Sequence, residues 1–419
     1  MKFTTYLSLL ATAASQQDTT GLIQLLRMDT NESKELIRDV VNPSRSALLG
    51  FKGTCEAPWD EIAITHLQVI TKVAAREHVN AYKEQAKMIS EMLRWFQSQT
   101  SWFLEVLYRV LDDLRELAAR ADEEIIEKGD PSKQADSLED AARVIGNCFS
   151  ACMTDRLNQP DVSRKKGVYY IAGLAVKCYF RINKTNLAKN IIRAIDANAD
   201  TLPAFETYPR SHQVTWRYYL ALLDFLQEEY DKAERGFVFV FYNCPKRAKR
   251  NKELALTYLI PIRLLKGILP SRRLLNRFPK LQELYKPFTS AIRKGDIEAF
   301  DTRLALAELR LVEAGVYLTV ERAREVCLSR LFRKIWIALS SPEPVSRIPI
   351  SSFRTALKIS GLDISQEEVE CLLANMIYKS YIRGYLSHGH GLLILSKVAP
   401  FPSLLIRTDP EPFEKMTKH

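Results

Sequence analysis

The sequence predicts a mainly α-helical fold in which helical pairs stack as an α-solenoid and the chain closes in a winged helix. Three observations carry this. Apolar residues recur three and four apart through most of 59–127 and again from Gly167 onward, the spacing of one helix face. The later helices come in pairs of about 35–45 residues, near the period of tetratricopeptide-like repeats. Near the C-terminus, an extended run, a helix, a turn, a second helix and two short apolar runs follow one another over 347–396. That order of parts spells a winged helix.

At the start, residues 1–15 carry the parts of a secretory signal: Lys2, a mildly apolar middle and small residues in an A-x-A pattern. The middle is short and interrupted by Ser8 and Thr12. Phe3, Leu7 and Leu10 share a helix face that continues towards Leu22, Leu25 and Leu26. A first helix is expected, not a signal. Residues 42–58 read as a loop, with proline at both ends.

Three apolar stripes follow. Ile62, His66, Val69, Ile70 and Val73 form one; Met88, Met92, Trp95 and Phe96 begin the next; Leu104, Leu107, Val110, Leu111 and Leu114 make the third. The segment 128–134 (KGDPSKQ) breaks the pattern, and Ser137 restarts a helix to about Thr154. Residues 155–166 are polar and basic and read as a connection.

From Gly167 the pairs begin. VYYIAGLAVKCYFRI and LAKNIIRAIDAN are two helices joined by a turn at 183–186. VTWRYYLALLDFLQEEY and DKAERGFVFVFYNC form the next pair, with Tyr230, Ala233, Phe237 and Pro245 at tetratricopeptide offsets. Residues 252–266 with 271–277 are expected as a third pair, and 281–293 with 297–314 as a fourth. One arginine-rich helix over 319–339 leads into the winged helix. The chain is thus divided into an N-terminal helical region (1–160), helical repeats (161–339), the winged helix (340–402) and a tail (403–419).

Within the winged helix, Ser351 is placed to cap a first helix to Ile359. Ser365 with Glu368 makes a capping box for a second, whose face is Val369, Leu372, Leu373, Met376 and Ile377. A helix that reads DNA offers Arg, Lys, Asn or Gln to the major groove. This one opens with Gln366, Glu367, Glu368 and Glu370, and carboxylates there repel phosphate. The winged helix is therefore read as packing against protein. A shoulder contact to phosphate stays open through Lys379, Arg383 and Lys397, with Arg354 and Lys358 on the preceding helix.

The order of parts resembles the PCI domain shared by proteasome-lid, signalosome and translation-initiation subunits. In detail, YFRINKTNLAKNIIRAID, NKELALTYLIPIRLLKGILP, RLFRKIW, APWDEIAITHL and the closing Gly-Tyr-Leu-Ser…Leu-Ser-Lys…Pro-Phe-Pro are similar to one PCI subfamily. It comprises the subunit of the transcription-coupled mRNA export complex and its signalosome-associated relatives. The resemblance implies a right-handed α-solenoid of TPR-like helical pairs ending in a C-terminal winged helix, acting as a non-catalytic scaffold. It implies two kinds of protein partner: a large scaffold protein with its own PCI and winged-helix region, and a small acidic disordered subunit. RNA or DNA would be met through phosphates. The export-complex reading is the first expectation, with a nuclear, pore-associated location and a cytoplasmic pool. A signalosome accessory subunit, serving removal of a ubiquitin-like modifier by protein contacts alone, is the alternative.

Composition bounds the rest. Sixty Lys and Arg against 50 Asp and Glu give a net charge of +10 over 419 residues, which favours an acidic partner. Seven cysteines scattered from Cys55 to Cys371 argue for a reducing compartment, and no apolar run is long enough to cross a bilayer. Cys148 and Cys152, one helical turn apart, read as core. His388 and His390 form a close pair without a neighbouring carboxylate or cysteine in sequence, and read as a turn tip. The signalosome's metalloprotease carries His-x-His followed by Ser and Asp; here Val398 and Phe401 stand at those places. No catalytic motif, cofactor site or small-molecule substrate site is expected. The site candidates are basic. Lys246, Arg247, Lys249, Arg250 and Lys252 follow Pro245 at one bend, and Arg272, Arg273 and Arg277 recur in the next pair. They read either as a solvated face or as contacts to phosphate or an acidic partner. Phe278, Tyr285 and Phe288 nearby are expected in the core. Tyr218, Tyr219 and Phe225 are candidates for apolar pockets that would take an acidic chain.

Overall fold

The computed structural model describes residues 1–40, 48–129, 136–157, 159, 161–340 and 343–406. Most of the 128–134 break and the tail from 407 onward lie outside the described residues. Two compact units, 1–219 and 220–419, divide the chain within one helix.

In the first unit, α1 (Phe3–Ser15), α2 (Thr19–Leu25) and α3 (Asn31–Asp39) precede α4 (Trp59–Ala74), α5 (His78–Phe96), α6 (Leu104–Lys128) and α7 (Ser137–Met153). Then come α8 (Val168–Arg181), α9 (Thr185–Ala197) and the start of α10 (Arg210–Leu226). Of the first fifteen residues all but Met1 and Lys2 are helical, and Phe3, Tyr6, Leu7 and Leu10 are buried. Tyr6 stacks on His66 of α4 at 6.1 Å. Each of the three apolar stripes faces inward: Ile62, Met88, Met92, Leu107 and Leu111 are all buried. The division read at 160/161 falls inside this unit, because α7 packs directly on α8.

The polar connection of 155–166 has a buried knot. Arg164 donates from Nη1 to the carbonyls of Phe96 (3.1 Å) and Gln97 (2.6 Å), and from Nη2 to Asp155 at 3.3 Å. Asp155 also accepts from Ser163 Oγ and from the Arg164 amide. A run that reads as a polar connection is pinned by one buried ion pair, in which both Nη atoms of Arg164 are engaged and Nε has no partner among the described residues.

The second unit continues with α11 (Tyr230–Asn243), α12 (Lys249–Leu265), α13 (Arg272–Leu275), α14 (Pro279–Lys294), α15 (Ile297–Glu313), α16 (Tyr317–Arg322) and α17 (Arg324–Leu339). Two expectations change here. The third pair is absent as drawn: 271–277 contributes one turn, α13, capped by Ser271 onto the Leu274 amide at 3.1 Å. Helix α12 packs instead on α11, where Phe237 stacks on Tyr258. The expected single helix over 319–339 is two, parted at Ala323. Arg324 forks onto Asp301 of α15 at 2.7 and 2.8 Å, which fixes where α17 begins.

The chain ends as predicted, in a winged helix: β1 (Arg347–Pro349), α18 (Ile350–Ile359), α19 (Gln366–Tyr378), β2 (Gly384–Ser387) and β3 (Leu392–Leu395). The sheet order is β1-β3-β2, antiparallel throughout. The fold class read from the sequence, helical pairs followed by a winged helix, holds.

Candidate protein and nucleic-acid interface

The winged helix is built from local signals. Pro349, with extended backbone, leads directly into α18; Ser351 lies inside the helix and does not cap it. Ser365 accepts from the Glu368 amide at 3.2 Å while Glu368 accepts from the Ser365 amide at 2.8 Å, so the capping box is formed. Ile348, Phe353, Leu357, Val369, Leu373, Met376, Leu393 and Leu395 make the core; Leu372 and Ile377 are half-buried. Gly384 is required where β2 meets β3: a Cβ there would stand 2.2 Å from the carbonyl oxygen of Ile394.

The wing is tied to the helices beneath it. Phe353 of α18 meets Phe332 of α17 edge-on at 5.2 Å. Lys379, at the end of α19, pairs with Glu325 of α17. His388, at the hairpin tip, meets Glu370 of α19 at 2.6 Å through Nδ1. The carboxylate accepts from Nδ1–H, and that hydrogen bond with the charge of Glu370 raises the histidine's pKa. The turn tip is thus a 3₁₀ turn over His388–His390 clasped to α19. His390 instead shares a 3.1 Å hydrogen bond with Ser387. Among the described residues no group of three His, Cys, Asp or Glu is arranged to hold a metal ion.

The opening of α19 is acidic in space as well as in sequence. Gln366, Glu367 and Glu368 are exposed. The pKa of Glu367 is lowered by its own backbone amide and by Ser365, so its charge is held. Of the shoulder cations, Lys379 is engaged by Glu325, Arg354 donates to the carbonyl of Ile364 at 3.0 Å, and Lys358 pairs with Asp363 at 3.0 Å. Arg383 and Lys397 are exposed. Sequence reasoning missed the pairs Lys379–Glu325 and His388–Glu370; no local spacing announces partners 54 and 18 residues apart.

The basic bends lie elsewhere in the same unit. Lys246, Arg247, Lys249, Arg250, Arg272, Arg273 and Arg277 are all exposed. Among the described residues no carboxylate pairs with any of them. Lys252 differs: its ammonium donates to the carbonyl of Phe241 at 2.8 Å and lies 4.9 Å over that ring. Phe278, Tyr285 and Phe288 are buried. Phe225 is buried against Tyr230 and Tyr258, so it offers no pocket, while Tyr218 and Tyr219 are half-buried. Cys148 and Cys152 are core; burial pushes the Cys148 thiol up to about 12 and that of Cys152 higher. No helix among the described residues is long and apolar enough to cross a membrane.

Comparison with known proteins agrees with this geometry. The PCI domain model matches residues 305–397, from within α15 through the wing. The chain is similar to the protein CSN12 homolog of Neurospora crassa, 37% identical over 351 residues that cover 77% of each chain. With the CSN12 homolog of Schizosaccharomyces pombe it shares 37% identity, covering 82% of this chain and 83% of the relative. With PCI domain-containing protein 2 of Xenopus laevis it shares 32%, covering 83% and 86%.

Proposed function

Because the chain belongs to the PCI family that includes the CSN12 homologues and PCI domain-containing protein 2, we propose that it is a non-catalytic scaffold subunit acting through protein contacts. The relatives' name favours a signalosome-type complex, in which the chain serves as an accessory subunit in removal of a ubiquitin-like modifier. One observation carries the protein-facing reading. The helix that would enter a DNA groove opens with Glu367 and Glu368 exposed, and base reading requires donors there. Affinity purification from cells, with identification of what co-purifies, tests it. Recovery of signalosome subunits is the expected result; recovery of no stable partner would remove the scaffold reading.

A second reading has its own support: membership of a transcription-coupled mRNA export complex, with RNA or DNA held by phosphate. The unpaired cations of the two bends, together with Arg383 and Lys397, are the contacts it would use. Its partners would be a large scaffold protein with a winged helix and a small acidic disordered subunit, in the nucleus at the pore and in the cytoplasm. An RNA gel shift at moderate salt separates the two readings, since a protein-only module retards little.

A further inference from the structure

Helices α17, α18 and α19 leave between them a cleft of about 520 Å³, within the range of about 300–1,000 Å³ typical of ligand sites. One wall is a single face of α19: Glu368, Cys371, Leu372 and Asn375 stand at i, i+3, i+4 and i+7. Arg324 and Leu328, one turn apart on α17, form the opposite wall, and Leu357, Leu362 and Ile364 close the base. Leu328 and Leu357 are buried, while Leu362, Ile364 and Leu372 keep part of their surface open to the cleft. Arg324 is engaged by Asp301, so the charge left at the rim is that of Glu367 and Glu368.

We propose that this cleft docks an amphipathic helix of a protein partner. Its Leu, Ile or Phe side chains fill the apolar trough and its Lys or Arg side chains meet Glu367 and Glu368. A helix-walled apolar trough is the shape that accepts a helix by its i, i+3, i+4 anchors. The carboxylate rim sets the sign of the partner: it attracts a basic flank and repels nucleic acid, although the chain as a whole carries +10. The inference rests on the scaffold reading and names the partner chemistry of one of its surfaces.

Cys371 supplies the readout. It is the exposed cysteine of the seven; Cys55 is partly covered and the other five are buried. The full chain is titrated with a synthetic leucine–lysine amphipathic helix, its leucine–glutamate counterpart, and a DNA duplex. The rate at which Cys371 reacts with a disulfide reagent is followed, and Cys371→Ser identifies the fast-reacting thiol. Only the basic helix is expected to slow that thiol. Reversing the rim charge with Glu367→Lys is expected to weaken its binding about fivefold, the scale of one exposed charge pair turned repulsive. Leu372→Asp is expected to weaken it further. Equal protection by the acidic helix or by the duplex, or binding indifferent to Glu367→Lys, overturns the proposal. If the native chain's cellular partners co-purify equally well with both variants, this cleft is not where they dock and the scaffold reading stands. If the native chain retains no partner, the scaffold reading itself falls.

Discussion

Asp155 and Arg164 face each other at 3.3 Å with 2% and 10% of their side chains exposed, joined to the carbonyls that end α5. Burial works against the Asp155 charge, but the Arg164 amide, Ser163 and the guanidinium hold its pKa low. Removing one partner leaves the other charged and dry. Arg164→Ala is expected to cost about 3–5 kcal/mol, measured by denaturant unfolding of the first unit. A change within 1 kcal/mol would mean that the site rehydrates freely.

His66 is wholly buried with neither ring nitrogen hydrogen-bonded, and burial lowers its pKa to about 4. The unfolded chain therefore takes up a proton near pH 6.5 that the folded chain refuses until about 4. Stability is full above that window and is lost as pH falls through it, by up to about 3 kcal/mol. His66→Leu should flatten this acid limb relative to the native chain, and at neutral pH should stabilise by about 1 kcal/mol. Parallel pH profiles for both proteins would contradict the assignment.

At the wing tip the sign is opposite. Glu370 raises the pKa of His388, so that contact is present below the free histidine's pKa and is lost as pH rises through the raised value. Proton NMR titration should place His388 above an ordinary histidine, and Glu370→Gln should return it to the ordinary range. An unchanged titration in the variant would show the contact absent in solution.

Gly384→Ala should destabilise the wing by about 1–3 kcal/mol, since the new methyl meets backbone that cannot rotate away. Hydrogen exchange would show this as faster exchange of the β2 and β3 amides. Protection equal to the native chain would mean that the hairpin shifts to make room.

Arg272, Arg273 and Arg277 are exposed and unpaired, so changing all three to Glu should move stability by no more than about 0.5 kcal/mol per site. If they meet phosphate, affinity for any RNA or duplex should fall alike, and the slope of log K against log salt should flatten by about 2–3. A loss confined to one base sequence would identify readers instead.

What was legible in the sequence was what neighbours decide. The capping box of Ser365 and Glu368 is a spacing of three, and the wing is two apolar runs around a glycine-rich turn. The helical stripes came through because burial follows the same period. What required the fold was long-range. Lys379 reads as a free cation until Glu325 is placed beside it. Ala323 carries no helix-breaking signal, and the division of α16 from α17 depends on Asp301 holding Arg324. Arg164 sits in a polar run that looks solvated, and only the carbonyls at the end of α5 make it a core residue. The cations at the two bends were legible as charge and are exposed as charge.

The contact of Phe332 with Phe353 sets the unit of inheritance. A wing cut out at residue 348 would bare Phe332 on the stub and leave Phe353 without that packing partner, and Lys379 would part from Glu325. Exchange between relatives, or a graft onto another scaffold, would have to carry α17 along with the wing. The seam would then fall upstream of Arg324, where Asp301 is the next residue to be matched.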